Sequence, residues 1–261
     1  MQIDSQNIIA LLRNLPLEEP DKKYIQFHIN RYIETLSLIP VSLKTFNVLD
    51  IAAFRGHLSF LVKKLFDCTV YALDVNALMR HRFAAEGIEL KTCDISREKL
   101  PYDTETFDVV LFCETLEHLA ISPYIVLTEV RRVLKKDGIL VLSTPNMAAL
   151  VKRLKLLIGR SQLHPFTSSR NSATHLNDLG YDHVHEYTKS EIKSVLEHTN
   201  FKIDRLYLSD CWEKTFSSMN PVRLVYKLIV KLVPSFRGCI IACARKCASI
   251  DRTRDTDIVG D

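Results

Sequence analysis

Glycine is scarce, with seven residues in a chain of 261. That leaves little room for glycine-rich phosphate loops, and the dinucleotide fingerprint G-x-G-x-x-G is absent. No apolar run reaches the roughly 18 residues a membrane-spanning helix needs. No signal peptide is expected, because the N-terminus is acidic and polar where a basic stretch should stand. The seven cysteines (Cys68, Cys93, Cys113, Cys211, Cys239, Cys243 and Cys247) are odd in number and scattered. They suggest free thiols in a reducing, cytoplasmic setting. The last three are each separated by three residues, which fits neither the C-x-x-C zinc pattern nor an iron–sulfur run, so no metal site is expected. The net charge of +4 is too modest to argue for nucleic acid, and no aromatic-rich basic motif supports it.

What is present fits one globular α/β domain, with 47% hydrophobic and 25% charged residues. The organising stretch is VLDIAAFRGHLS, Val48 to Ser59. It reads as a buried strand over Phe46 to Ile51, a tight loop through Gly56, and a helix from about His57 to Phe66. Such a loop lets backbone approach a ligand, and the helix start offers unpaired N–H groups, which suits a nucleoside cofactor.

Before it, residues 1–43 look helical. Ile8, Ile9, Leu11, Leu12 and Leu15 form a first segment closed by Pro16 and Pro20, and Tyr24 to Ile39 forms a second. These helices are expected to cover the ligand edge as a lid, with Arg31 able to face the ligand and His28 on the solvated surface. After the loop, strands are expected at Thr69–Leu73, Ile88–Cys93, Phe107–Phe112 and Ile139–Ser143. The first two run into Asp74 and Asp94, and the third into Cys113 and Glu114. A helix from Ser122 and Pro123 to Leu134 should end with Lys135 and Lys136 against its dipole and Gly138 beyond. Alternating strands and helices with acidic strand ends predict a doubly wound parallel sheet with its ligand at the carboxyl ends. Asp74, about 20 residues past the loop, is placed for a ribose, because a carboxylate can accept from both hydroxyls.

VLDIAAFRGHLS, ALDVN, TCDISREKLPYDTETFDVVLFCETLEHL and LTEVRRVLKKDGILVLSTPN resemble, in order and spacing, the successive motifs of class I S-adenosylmethionine-dependent methyltransferases. The resemblance implies a seven-stranded, mostly parallel Rossmann-like sheet whose last strand is antiparallel. It implies a helical lid at 1–43, a catalytic domain at 44–250 with an acceptor-lid insertion at about 147–187, and a charged, disordered tail at 251–261. It further implies that Asp50, Ala52, Phe54 and Gly56 line the methionine part of S-adenosylmethionine. Asp74 with Val75 would meet the ribose, Asp94 with Ile95 the adenine, and Cys113 with Glu114 the sulfonium. Arg31 matches a basic residue that some relatives use for the cofactor carboxylate. Ala52 and Phe54 stand where the family has glycine, and alanine is tolerable there if its φ is negative.

Methyl transfer to a hydroxyl needs alignment and often a base, and histidine titrates in the right range. His118, His183 and His185 are the candidates, the last two in a polar, histidine-rich segment, His164 to Tyr187, read as a mobile acceptor lid. Beyond it, Thr188 with Glu191 forms a capping box, and strands are expected at Phe201–Ser209 and Gly238–Ala244. Ala148–Arg160 and Pro221–Val233 are basic amphipathic helices carrying Lys152, Arg153, Lys155, Arg160, Arg223, Lys227 and Lys231. They suggest either solvated covering helices or peripheral contact with a membrane and a lipid-linked glycan acceptor. The expected activity is O-methylation of a sugar, glycolipid or other small polar acceptor. The alternatives are a scaffold that has lost the cofactor and an RNA methyltransferase, which would bind RNA salt-sensitively.

Overall fold

The computed structural model describes residues 3–40, 45–160, 183–210 and 221–247, without the side chains of 221–223. Seven strands, β1 (Phe46–Ile51), β2 (Cys68–Asp74), β3 (Glu89–Thr92), β4 (Phe107–Cys113), β5 (Leu134–Pro145), β6 (Phe201–Ser209) and β7 (Cys239–Lys246), form one sheet. Their order is β3-β2-β1-β4-β5-β7-β6. The first five are parallel, and β7 lies antiparallel between β5 and β6. Strand order reverses between β1 and β4, and the crevice for a ligand opens there at the carboxyl ends.

Alternate residues of each strand feed two cores, as the period of two requires. Val48, Val70, Val109, Leu111 and Val141 pack on one face with helices α1 (Ser5–Leu12), α2 (Glu19–Phe27), α3 (Ile29–Ser37) and α4 (His57–Leu65). The cluster on this face also takes Phe83 of α5 (Arg80–Ala85). Leu49, Leu73, Val110, Phe112 and Leu140 pack on the other face with α6 (Pro123–Val133) and α8 (Lys189–His198). The N-terminal helices are therefore part of the main core. That burial, more than helix propensity, holds α3 where its Arg31 can reach the end of β4.

Several local expectations are corrected. Pro20 opens α2 within its first turn, where its missing N–H costs nothing, so it does not close the preceding helix. The segment Tyr24–Ile39 is two helices broken at His28, whose φ and ψ are −99° and 20°. His28 is buried, not solvated, and burial pushes its pKa down to about 4. Helix α6 stops at Val133, and Lys135 belongs to β5, pairing with Asp108 at 2.8 Å. The left-handed residue at this point is Asp137, inside β5 where its register with β4 shifts, not Gly138. The capping box at Thr188 and Glu191 is present. The remaining helices are α7 (Leu150–Leu157) and α9 (Pro221–Leu232). Cys211, His164 and His175, the lid segment through residue 182 and the tail at 251–261 lie outside the described residues. The other six cysteines are free thiols.

Candidate functional site

The loop after β1 keeps its shape without its glycines. Ala52, Phe54 and Gly56 have φ of 57°, 51° and 83°. The left-handed region costs a non-glycine residue about 1–2 kcal/mol, so tertiary bonds must hold two residues there. The Ala53 N–H donates to the Leu73 carbonyl at 3.0 Å, and the Phe54 N–H to Asp74 Oδ2 at 2.7 Å. Gly56 has a second reason to lack a side chain: a Cβ would stand 2.6 Å from the Phe60 ring.

Asp74 is thus the anchor of the loop. Its Oδ1 accepts from the Asn76 N–H at 3.0 Å, and burial pushes its carboxyl up against three backbone amides that pull it down. Each oxygen has two lone pairs, so acceptor directions remain for a ligand. Beside it Val75 is 66% exposed, and at the neighbouring strand end Ile95 is half-buried. Asp94 receives the Ser96 N–H at 3.0 Å and faces Arg97 at 3.3 Å. Asp50 lies beneath the loop, buried, with the Ser59 hydroxyl donating to it at 2.5 Å. Burial raises its pKa to about 7, and its bond to Ser59 joins β1 to α4.

The ends of β4 and β5 are built from charge. Arg31 Nη1 meets Glu114 Oε2 at 2.8 Å, and Arg31 Nη2 donates to the Tyr24 hydroxyl at 3.3 Å. Glu114 also accepts from the Ser143 hydroxyl at 2.8 Å. The Cys113 thiol is pushed up to about 12 by burial and stays protonated. Past Glu114 the chain makes a single 3-10 turn, Leu116–His118, that buries Glu117 at 1% exposure. Thr144 Oγ1 donates to Glu117 Oε2 at 2.9 Å, and burial with the charge of Glu114 raises its pKa to about 8.

The Glu117 carbonyl accepts from the N–H groups of Val184 and His185 at 2.7 and 3.2 Å, which brings the later segment to this turn. His118 and His183 then lie with ring centroids 4.9 Å apart. His183 Nδ1 sits 2.8 Å from Glu186 Oε1, and Lys152 pairs with the other oxygen of Glu186. His185 parts from the other two histidines: its ring packs edge-on against Tyr187 at 4.6 Å and lines a groove of about 520 Å³ with Leu119, Ile121, Tyr124 and Val195. Glu117, Glu186 and Lys152 were not among the sequence candidates. Glu117 had a signal, since it follows Glu114 by three and precedes His118; the pairing of Glu186 with Lys152 had none.

S-adenosylmethionine fits this edge on two observations. The loop holds three left-handed residues in the places where the resembled family has glycine, and Asp74, Val75, Asp94 and Ile95 line up along the next two strand ends. A family model for the methyltransferase domain matches residues 49–142. The chain is 33% identical over 121 residues to the ubiquinone biosynthesis O-methyltransferase of Glaesserella parasuis serovar 5 (strain SH0165), covering 43% of this chain and 50% of that protein. It is 34% identical over 129 residues to the phthiotriol/phenolphthiotriol dimycocerosates methyltransferase of Mycobacterium leprae (strain TN), covering 48% and 46%. The chain spans about half the length of these curated relatives. A solved SAM-dependent methyltransferase from Archaeoglobus fulgidus shares the fold with a TM-score of 0.58 at 18% identity, over 88% of this chain and 100% of that one. Residues 49–142 thus match a methyltransferase domain, within a sheet of the class I S-adenosylmethionine-dependent methyltransferase fold.

Proposed function

We propose that the chain binds S-adenosylmethionine and transfers its methyl group to an oxygen of a small or lipid-linked polar acceptor. The observation that carries this reading is the loop of Ala52, Phe54 and Gly56, held in left-handed form and bonded to Asp74. A degenerate scaffold has no reason to keep two strained residues, whereas a ligand-binding loop does. In this reading Asp74 and Val75 meet the ribose and Asp94 with Ile95 the adenine. The loop backbone lies along the methionine part, with Asp50 fixing the loop from below. Arg31 donates to the cofactor carboxylate with a guanidinium that also steadies Glu114, and Cys113 flanks the sulfonium. When bound, S-adenosylmethionine would supply a sulfonium-activated methyl group for displacement by an acceptor oxygen. His118 and His183 stand at the acceptor end, where a base takes the hydroxyl proton, and helices α1–α3 exclude water from above.

Oxygen as the methylated atom is supported by the O-methyltransferase among the relatives. An amphiphilic acceptor is supported by the rim. Helix α7 exposes Val151, Leu154 and Leu157, and α9 exposes Leu224, Leu228 and Leu232. Both helices carry lysines and no acidic residue. That combination suits peripheral contact with an anionic membrane surface at its cytoplasmic face. Among the described residues no helix is long and apolar enough to cross a membrane.

Calorimetric titration with S-adenosylmethionine tests the reading. Asp74→Ala is expected to weaken binding roughly ten- to a hundredfold, the value of a charge-assisted hydrogen bond of about 1.5–3 kcal/mol. An unchanged dissociation constant would remove Asp74 from the site. His183→Ala with His185→Ala is expected to cut labelled methyl transfer to hydroxylated lipid extracts while cofactor affinity stays within about twofold. Full transfer by the double variant would remove both histidines from the chemistry.

A further inference from the structure

We propose that Glu117, His118 and His183 bind a divalent transition-metal cation at the acceptor end of the sheet edge. One ligand atom from each lies within 4.8 Å of the other two. Bonds of about 2.0–2.2 Å to such an ion set its ligand atoms roughly 3–3.5 Å apart, so closure by ~1 Å of side-chain rotation completes the set. Two imidazole nitrogens and one carboxylate oxygen form a borderline donor set that suits Zn²⁺, Co²⁺ or Mn²⁺ and leaves further positions open.

The surroundings of the three residues are those of a built site. His183 Nδ1 lies 2.8 Å from the Glu186 carboxylate, which can only accept while ionised, so the neutral tautomer this contact selects leaves Nε2 for an ion. Glu186 is itself buried at 4% exposure and held on its second oxygen by Lys152, so it orients the His183 ring firmly. Glu117 Oε2 is fixed by Thr144, which leaves Oε1 toward His118 Nε2 at 3.9 Å. The Glu117 carbonyl clamps the backbone of Val184 and His185, so the two ligand-bearing segments are tied together by main chain as well. A carboxylate at 1% exposure is costly to bury as an anion, and a cation between it and the two imidazoles offsets that cost. Open positions on the ion would take an acceptor hydroxyl and lower its pKa, so the ion would replace a histidine base; this use rests on the methyl-transfer reading. Binding of the ion does not.

The full chain, stripped with EDTA and dialysed, is titrated with Co²⁺ by visible absorption and with Zn²⁺ by calorimetry. About one equivalent is expected, and Zn²⁺ should raise the melting temperature because it binds only the folded state. The double variant His118→Ala/His183→Ala should lose both signals, and Glu117→Gln should weaken them. Glu186→Gln should weaken binding roughly ten- to a hundredfold through the His183 ring alone. His198→Ala, at an exposed histidine at the end of α8, should bind as the parent does. His183 is a third exposed, so its removal empties no core and the folded variant can be checked by its own melting curve. No uptake by the parent, or uptake undiminished in the double variant, overturns the metal site. S-adenosylmethionine is titrated in parallel: cofactor binding without metal uptake defeats only the metal site. Metal uptake without cofactor binding supports the site and defeats the methyl-transfer reading.

Discussion

At the ends of β1, β2 and β3 the ligand edge is made of backbone, whereas at the ends of β4 and β5 it is made of buried charge. In the first region a carboxylate, Asp74, accepts main-chain amides and props a loop of left-handed residues. In the second, Arg31, Glu114, Glu117, His118, His183, Glu186 and Lys152 satisfy one another across four separate stretches of chain. A backbone cradle tolerates side-chain drift, which is how Ala52 and Phe54 can replace glycine. A buried charge cluster does not, because removing one member strands its partner in low dielectric. The two halves should therefore fail differently when mutated.

The largest effect is expected at Arg31. Its guanidinium is buried, bonded to Glu114 at 2.8 Å, and lies 5.9 and 5.6 Å over the rings of Tyr24 and Tyr32. Arg31→Ala leaves Glu114 half-buried with the Ser143 hydroxyl at 2.8 Å and the Cys239 thiol at 3.9 Å as its remaining donors. Urea unfolding should show a loss of about 3 kcal/mol, the cost of breaking one side of a buried pair. A loss below about 1 kcal/mol, within the range of exposed ion pairs, would mean that the pair is loosely held and that Arg31 serves the ligand first.

On the backbone side the corresponding variant is Asp74→Asn. Its amide oxygen can keep part of the main-chain N–H bonding, so the fold should lose only about 1 kcal/mol while cofactor affinity falls about tenfold. Equal losses in stability and affinity would show that the carboxylate acts on the ligand only through the loop, and the contrast between the two halves would blur.

The contrast also explains which parts the sequence disclosed. β1 and β6 were legible to the residue: β1 is a buried strand that announces itself as a short apolar run, and β6 is an edge strand of alternating apolar and polar residues; the alternation of strands with helices gave the doubly wound class. Asp74 and Asp94 were legible because a strand end fixes where a residue stands. The charge cluster was only half legible. His118 and His183 could be named as chemistry-bearing types, yet nothing local shows that Val184 and His185 bond to the carbonyl of Glu117 and so bring the two rings together. The burial of His28 was missed for the same reason: it sits at a helix break, where the 3.6-residue period lapses and no longer assigns a face. The early start of β5 was missed because it rests on tertiary partners, the pair of Lys135 with Asp108 among them, and not on local propensity.

The smallest effect expected is the sharpest test of the backbone half. Ala52 holds a φ of 57° with a side chain that glycine would not carry. Left-handed geometry costs alanine about 1–2 kcal/mol, and glycine in its place costs roughly 0.5–1 kcal/mol in unfolded-chain entropy. Ala52→Gly should therefore stabilise the chain by about 0.5–1 kcal/mol and raise the melting temperature by roughly 2 °C for a domain of this size. Calorimetric affinity for S-adenosylmethionine should stay within about twofold, since the amides already point where the loop needs them. Phe54→Gly relieves the same strain but also removes the ring that stands over Arg55 and edge-on to His57, so its gain should be smaller. If Ala52→Gly instead destabilises the chain, the residue is not left-handed in solution. The cradle would then be formed only when the ligand binds, and the backbone half would be as dependent on its partner as the charged half is on each of its members.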